Sequence, residues 1–424
     1  MLKAIGYILL GSFITFVFLI SGLIINGLQA LTYVLLYNSN RSLYRKINYY
    51  LIYTSWAQIL AMCEWWSNSA CNLYGDEESL AHFGKDHTMV VMNHKYDTDW
   101  LMCWFVCDKL QMLGNAKTCA KKSLRNVPVI GWGWVFAEMI FLERNWEKDK
   151  LILGTKLDNL VSYDDPIMLL YFCEGTRFTP AKHEASMEFA KARNLPLLKH
   201  HLCPRTSGFN FAVSHMKNKM NAIYQVQLGF PEGELKPTFS NMLRGHRFVG
   251  DMYVKRIPMS EIPMDSDEAT TKWLHQLYQE KDKLMDDYLK TNKFPGKCIR
   301  LQRSYYSLVH SLLWICLVGV PVIYLIFRLL TMGSMWVTSL TFTVIALLFT
   351  AMYMMVRVTK ADKGSSYGKD KTSPEKSKNG TVKPEKTSRT CEDNDTCVEN
   401  KEIHPEVQEQ KTVHQEAGDG SENL

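Results

Sequence analysis

The chain has 424 residues, 46% of them hydrophobic and 22% charged, with a formal net charge of +6. That length exceeds one minimal domain and allows a core of roughly 250 residues plus membrane segments and a tail. The mild positive balance sits beside apolar segments, which fits a membrane surface and does not call for nucleic acid; the 11 cysteines lack paired ligand spacing, so neither a disulfide framework nor a structural metal is expected.

Residues 5–25 are almost uninterrupted in apolar side chains, enough to cross the hydrocarbon as a helix. Apolar sequence continues from Leu28 to Tyr37, which argues for an anchor rather than a cleaved signal peptide. Arg41, Arg45 and Lys46 follow the segment and only Lys3 precedes it, so the following chain is expected in the cytosol. Residues 1–40 are therefore read as a transmembrane anchor. Residues 41–79 are read as interfacial; their aromatic stretch 47–67 suits a helix lying at the membrane surface, with a core helix as the alternative.

From residue 80 to 300 short apolar runs alternate with longer mixed stretches. Residues 89–92, 167–172 and 222–228 read as strands, and the alternation predicts an α/β domain with a central sheet flanked by helices. Asp265 and Glu268 mark a capping-box-like start. The helix that follows carries Trp273, Leu277, Leu284 and Tyr288 on one face. Residues 308–327 and 336–356 are each about long enough to span a membrane, and together 301–359 reads as a hairpin with both ends cytosolic; Pro321 is tolerable inside such a helix. Residues 360–424 are polar and charged and read as a disordered cytosolic tail. The sequons at Asn40, Asn379 and Asn394 are expected on the cytosolic side, unglycosylated.

Within the α/β region, VVMNHKYDTDW sets Asn93, His94 and Asp99 behind an apolar strand. His94 and Asp99 are five apart, about 500° around a regular helix, so they meet only across a turn. A strand end passing into a helix supplies one, and Thr98 or Asp97 could cap that helix. Such a pair can take a proton from a hydroxyl, the carboxylate fixing the imidazole tautomer. Alone the spacing is common, and a surface histidine is its ordinary explanation. The second element, YFCEGTRFTP, offers Gly175 for close approach of backbone N–H groups to an anion and Arg177 as a fork for phosphate. Between them, Lys121 and Arg144 bracket an aromatic-apolar stretch containing Trp132 and Trp134, a combination suited to an anionic head on a greasy body. Core or interface packing is the ordinary role of those tryptophans.

The order NHx4D, then the lysine-to-FLER block, then EGTR, then LCPRT at residues 202–206 resembles the 1-acylglycerol-3-phosphate acyltransferase family, closest to its animal gamma/delta subgroup. CAKKSLRNVPVIGW, CEGTRFTPAKHEASM and LKHHLCPRTSGF carry the likeness, which reaches to about residue 367. It implies an α/β acyltransferase domain with an N-terminal membrane anchor and a C-terminal transmembrane hairpin. It implies His94 as general base and Asp99 as its partner. It implies that Asn93, Lys121, Arg144, Glu174, Gly175, Thr176, Arg177 and Pro204 shape the substrate sites. Two departures stand out: the second block ends Leu142-Glu143-Arg144 where Ile-Asp-Arg or Cys-x-Arg is common, and Asp97 supplies a second carboxylate near His94.

The activity this implies is transfer of a fatty acyl group from acyl-coenzyme A to the sn-2 hydroxyl of lysophosphatidic acid. Acyl-CoA is then a co-substrate, with no cofactor and no metal, and membrane lipids are the surroundings. The endoplasmic reticulum membrane is the expected place, by resemblance. Other readings remain: a different lysophospholipid acceptor such as lysophosphatidylinositol, a metal-dependent membrane hydrolase using His94, Asp99 and Glu174, or a non-enzymatic membrane scaffold.

Overall fold

The structure is a computed structural model that describes residues 2–231, 235–331 and 333–358. The tail read from 360–424, with its sequons at Asn379 and Asn394, lies outside the described residues.

Two helices open the chain, α1 (Leu2–Leu36) and α2 (Arg41–Ala61), the latter running into a π-helical turn at Met62–Trp66. Asn40 caps α2: its side chain accepts the N–H of Leu43 at 3.0 Å, satisfying one of the free donors of the first turn. The sheet then begins with β1 (Ala70–Gly75), before the domain boundary drawn from sequence at residue 80. After α3 (Glu77–His82) come β2 (Thr88–Met92), α4 (Asp99–Lys109), β3 (Ala116–Lys121), α5 (Ile130–Phe136), β4 (Ile140–Leu142), α6 (Trp146–Val161) and β5 (Met168–Tyr171). The second half adds α7 (Pro180–Ala192), α8 (Thr206–Met216), β6 (Ala222–Gly229), α9 (Phe239–Leu243), β7 (Val249–Pro258), α10 (Asp267–Thr291) and β8 (Lys297–Arg300). The cap of α10 is Ser266, which accepts the N–H of Ala269 at 3.1 Å, one residue beyond the Asp265 start expected from the sequence.

One mixed sheet runs β4-β3-β5-β2-β6-β7-β1-β8. The first five of these are mutually parallel; β7 runs against β6, and β8 against β1. Because successive strand residues face opposite sides, β2 feeds two cores. Val90 and Met92 join Leu101 and Phe105 of α4 and Trp56 of α2; Met89 and Val91 join Leu157 of α6, Phe209 of α8 and Leu277 of α10. Each such fully buried side chain contributes about 1.5–3 kcal/mol. Burial on both sides explains the unbroken apolar runs of β2, β5 and β6. By contrast β3 is half polar and β8 is exposed along its whole length, so neither reads as a strand by periodicity.

The stretch 47–67 forms the body of α2 and its π turn, and Ile52, Trp56, Ala57, Leu60 and Cys63 are buried. Trp56 stacks on Trp104 of α4 with ring centroids 4.3 Å apart. Its polar residues have partners inside: Ser21 of α1 donates to Gln58 at 3.1 Å, and Glu64 accepts from Ser307 at 2.8 Å. Arg41 and Arg45 of α2 both bind Glu138, which tethers α2 to the segment between α5 and β4.

Helix α1 is two-sided. Val17, Ser21, Ile25 and Gln29 are buried against the body, while Leu23, Ile24, Leu28, Leu31 and Val34 are exposed. The chain ends in α11 (Tyr305–Trp314), a π turn at Ile315–Gly319, α12 (Val320–Thr331) and α13 (Met335–Val358). The π turn ends two residues before Pro321, whose missing N–H and ring disfavour a regular i to i−4 ladder there. Leu10–Leu36 and Tyr305–Thr331 are each long and apolar enough to cross a membrane.

Candidate active site

The carboxyl ends of the parallel strands gather the sequence motifs. Asn93 and His94 follow β2, Lys121 ends β3, Arg144 comes two residues after β4, and Glu174–Arg177 follow β5. In open α/β sheets that edge is where ligands bind, because loops leaving adjacent strands diverge there.

A tight turn between β2 and α4 brings the predicted pair together. His94 Nδ1 lies 3.0 Å from Asp99 Oδ2. The same oxygen accepts the backbone N–H groups of Lys95 at 2.6 Å and Tyr96 at 2.8 Å, so the carboxylate organises the loop as well as the ring. Thr98 occupies the cap position of α4, but its hydroxyl donates to Pro237 O at 2.7 Å instead of capping the helix. The Asp99 side chain is only 2% exposed and that of His94 is 17% exposed. Phe172 stacks on the imidazole at 4.1 Å between centroids. With Nδ1 donating to Asp99, a neutral ring carries its lone pair on Nε2, for which no protein partner is found among the described residues. Asp97 points elsewhere. It accepts the N–H of Phe239 at 3.1 Å, and burial raises its carboxyl above the usual range against that donor and the nearby charge of Arg177.

Glu174 and Asn93 work on backbone. One oxygen of Glu174 accepts the N–H of His94 and the other the N–H of Leu202, both at 3.2 Å. Burial pushes this carboxyl up to about 8, against the pull of those two donors and of Lys281. Asn93 donates to Leu228 O at 2.9 Å and accepts Leu228 N–H at 2.8 Å, which extends the β2–β6 ladder past the strand end. Phe178 N–H donates to His94 O at 2.7 Å. The side chains of Asn93 and Glu174, expected from the sequence to shape the substrate site, thus hydrogen-bond the main chain around His94.

The cations lie around this turn. Gly175 has φ +67°, and a Cβ there would stand 2.9 Å from Cδ and 3.0 Å from Nε of Arg205, so the Arg205 side chain lies against the glycine. Arg144, exposed at the rim with φ +62°, is lowered from its usual range by desolvation and by the like charge of Arg205. Arg205 therefore lies on the Gly175 turn, with the charge of Arg144 near it. Arg177 is half-buried beside Asp97. Thr176 is buried and accepts from Lys182 Nζ at 2.9 Å. Pro204 is buried just before Arg205, and Arg205 N–H donates to Cys173 O at 2.8 Å, which pins the LCPRT segment to the EGTR turn. Lys121 is half-buried at the end of β3.

The LCPRT segment points to Pro204 by resemblance, and the structure sets the next residue, Arg205, against Gly175; its signal in the sequence is a second fork-shaped cation within that same block. Phe172 carried no signal, since an aromatic after a strand is usually core. Among the described residues no three His, Cys, Asp or Glu side chains are grouped to hold a metal ion. Cys103 and Cys107 both pack their sulfurs against Met168.

The acyltransferase family model matches residues 72–248, from β1 to the start of β7, and the acyltransferase C-terminus model matches residues 241–314. The chain is 42% identical over 357 residues to 1-acyl-sn-glycerol-3-phosphate acyltransferase delta of Homo sapiens, covering 83% of this chain and 93% of that protein. The delta protein of Mus musculus gives the same identity and coverage. The gamma protein of Homo sapiens is 39% identical over 356 residues, with 83% and 93% covered.

Proposed function

The chain belongs to the 1-acylglycerol-3-phosphate acyltransferase family, and from that membership we propose that it transfers a fatty acyl group from acyl-coenzyme A to the sn-2 hydroxyl of lysophosphatidic acid, forming phosphatidic acid and free coenzyme A. The observation that carries this reading is the 3.0 Å contact of His94 Nδ1 with Asp99, which leaves Nε2 as the open edge of the ring beside a cationic turn.

The hydroxyl of the acceptor gives its proton to His94 Nε2 as its oxygen attacks the thioester carbonyl. The Asp99 carboxylate holds the imidazolium that forms. The carbon–sulfur bond breaks, and the imidazolium returns the proton to the departing thiolate. General-base catalysis supplies roughly 10²- to 10⁴-fold. The thioester is already activated, so the chemistry calls for no acyl-enzyme, metal or cofactor. Arg144, Arg205, Arg177 and Lys121 surround the place for the acceptor phosphate, and their fixed positions lower the entropy cost of alignment.

Both lysolipid and product reside in a bilayer, which gives the apolar helices their purpose. We place Leu10–Leu36 and the helices from Tyr305 onward in the endoplasmic reticulum membrane, with the strand ends of the sheet at its cytosolic face. The acceptor then arrives from the leaflet and acyl-CoA from water.

The test is a matrix of purified full-length protein with labelled acyl-CoA and lysolipids that differ only in head group. Lysophosphatidic acid is expected to be preferred. Preference for lysophosphatidylinositol, or consumption of acyl-CoA with no acceptor acylated, would replace this assignment.

A further inference from the structure

Two consecutive residues of α10 reach the underside of the active-site turn. Lys281 is fully buried; its Nζ donates to Val226 O of β6 at 2.5 Å and to Val91 O of β2 at 3.3 Å. Those carbonyls lie two residues before Leu228 and Asn93, the pair that extends the two strands toward His94. Asp282 turns the other way. Its carboxylate accepts the N–H groups of Lys199 and His200, each at 2.8 Å, and contacts His201 Nδ1 at 2.9 Å. The opposite edge of His201 meets Gln227 Oε1 of β6 at 3.1 Å. The next residue, Leu202, gives its N–H to Glu174, which in turn holds the N–H of His94. A continuous set of contacts therefore runs from α10 through His201, Leu202 and Glu174 to the main chain of the base.

A buried ammonium bound only by carbonyls is costly unless an opposite charge faces it. Glu174 is the acid that does so from the end of β5, with the Cys173 thiol beside it. His201 faces Lys281 from the segment before α8, Asp99 of α4 faces Glu174 on its far side, and the Tyr278 ring lies one helical turn away at 5.8 Å. Burial lowers Lys281 and raises Glu174, and each charge favours the other.

We infer that Lys281 and Asp282 are positioning residues for the acyl transfer: Lys281 ties the carbonyls of β2 and β6 beneath the His94 turn and lends its charge to Glu174 there, and Asp282 fixes the strand of chain that brings Leu202 to the same carboxylate. The inference rests on the reading of His94 as the general base.

The experiment is the pH profile of kcat and of acceptor KM for full-length protein in detergent, with phosphatidic acid formation as the readout. Wild-type activity is read first; its absence overturns the acyl-transfer reading itself. Lys281→Met takes away the cation that favours ionised Glu174, so the acidic limb of kcat moves to higher pH. At neutral pH kcat falls by roughly 10²-fold, the scale expected of a displaced base, while acceptor KM changes little. Lys281→Arg keeps the charge and returns the limb toward the wild-type position. Lys281→Met combined with Glu174→Gln removes both buried charges; it unfolds at higher temperature than Lys281→Met alone and loses the shifted limb. Should Lys281→Met fail to fold, the arginine variant and the double variant carry the same test. A folded Lys281→Met with a wild-type limb and kcat, or a double variant that keeps the shifted limb, overturns the inference.

Discussion

His94 and Asp99 meet through a single carboxylate oxygen that also binds the two backbone N–H groups between them, so the orientation of the base and the course of its loop depend on the same atom. Asp99→Asn keeps the shape but replaces part of the acceptor with a donor. The expected outcome is a fall in kcat of roughly 10²- to 10⁴-fold with a smaller change in acceptor KM. Steady-state kinetics on folded protein check this. Asp97→Asn, beside Phe239 N–H and Arg177, retains most of the turnover.

The Arg144 and Arg205 side chains are expected to bind the acceptor phosphate. Replacing either by Ala removes a charged hydrogen bond worth about 1.5–3 kcal/mol, which is on the order of ten- to hundredfold in acceptor KM. The same variants lose little with an acceptor that lacks a phosphate monoester. Equal losses with both acceptors would assign these arginines another role.

Gly175→Ala places a Cβ 2.9 Å from Arg205 on a backbone at φ +67°. Strain of about 1–3 kcal/mol is expected, together with displacement of Arg205. The variant loses thermal stability and raises acceptor KM together. A stable Gly175→Ala with unchanged KM would show that the turn and the arginine are uncoupled.

Glu138 predicts an acid transition remote from the chemistry. Burial opposes its charge, but donors from Arg45, Arg41 and Tyr163 prevail and hold it down to about 2 from 4.5. Its stabilisation, about 3 kcal/mol on this shift, is fully present above the unfolded value and is lost as pH falls from 4.5 toward 2. Glu138→Gln flattens that part of the curve of melting temperature against pH. At neutral pH it also leaves the buried Arg45 unpaired, a loss of about 3–5 kcal/mol.

The sequence showed the sheet best where burial on both faces forces unbroken apolar runs, as at β2, β5 and β6. It concealed β3 and β8, which are half polar or exposed. The partners of Gln58 in α2 and Glu64 in the following π turn were not legible, because Ser21 and Ser307 come from helices at the two ends of the chain. At the site, a five-residue offset could be recognised as a pair needing a turn, but choosing between Asp97 and Asp99 needed the resemblance. The loop donors Lys95 and Tyr96 give the physical reason for Asp99. The backbone tasks of Asn93 and Glu174 were hidden because Leu228 and Leu202 are distant in sequence.

The most direct measurement follows coenzyme A thiol release and phosphatidic acid formation together, with purified wild type and His94→Ala at equal folded concentration. The account predicts one thiol per phosphatidic acid for wild type, and for the variant a rate lower by roughly 10²-fold or more. A His94→Ala protein that turns over within a few-fold of wild type, or a wild type that releases thiol without acylating the lysolipid, would contradict it.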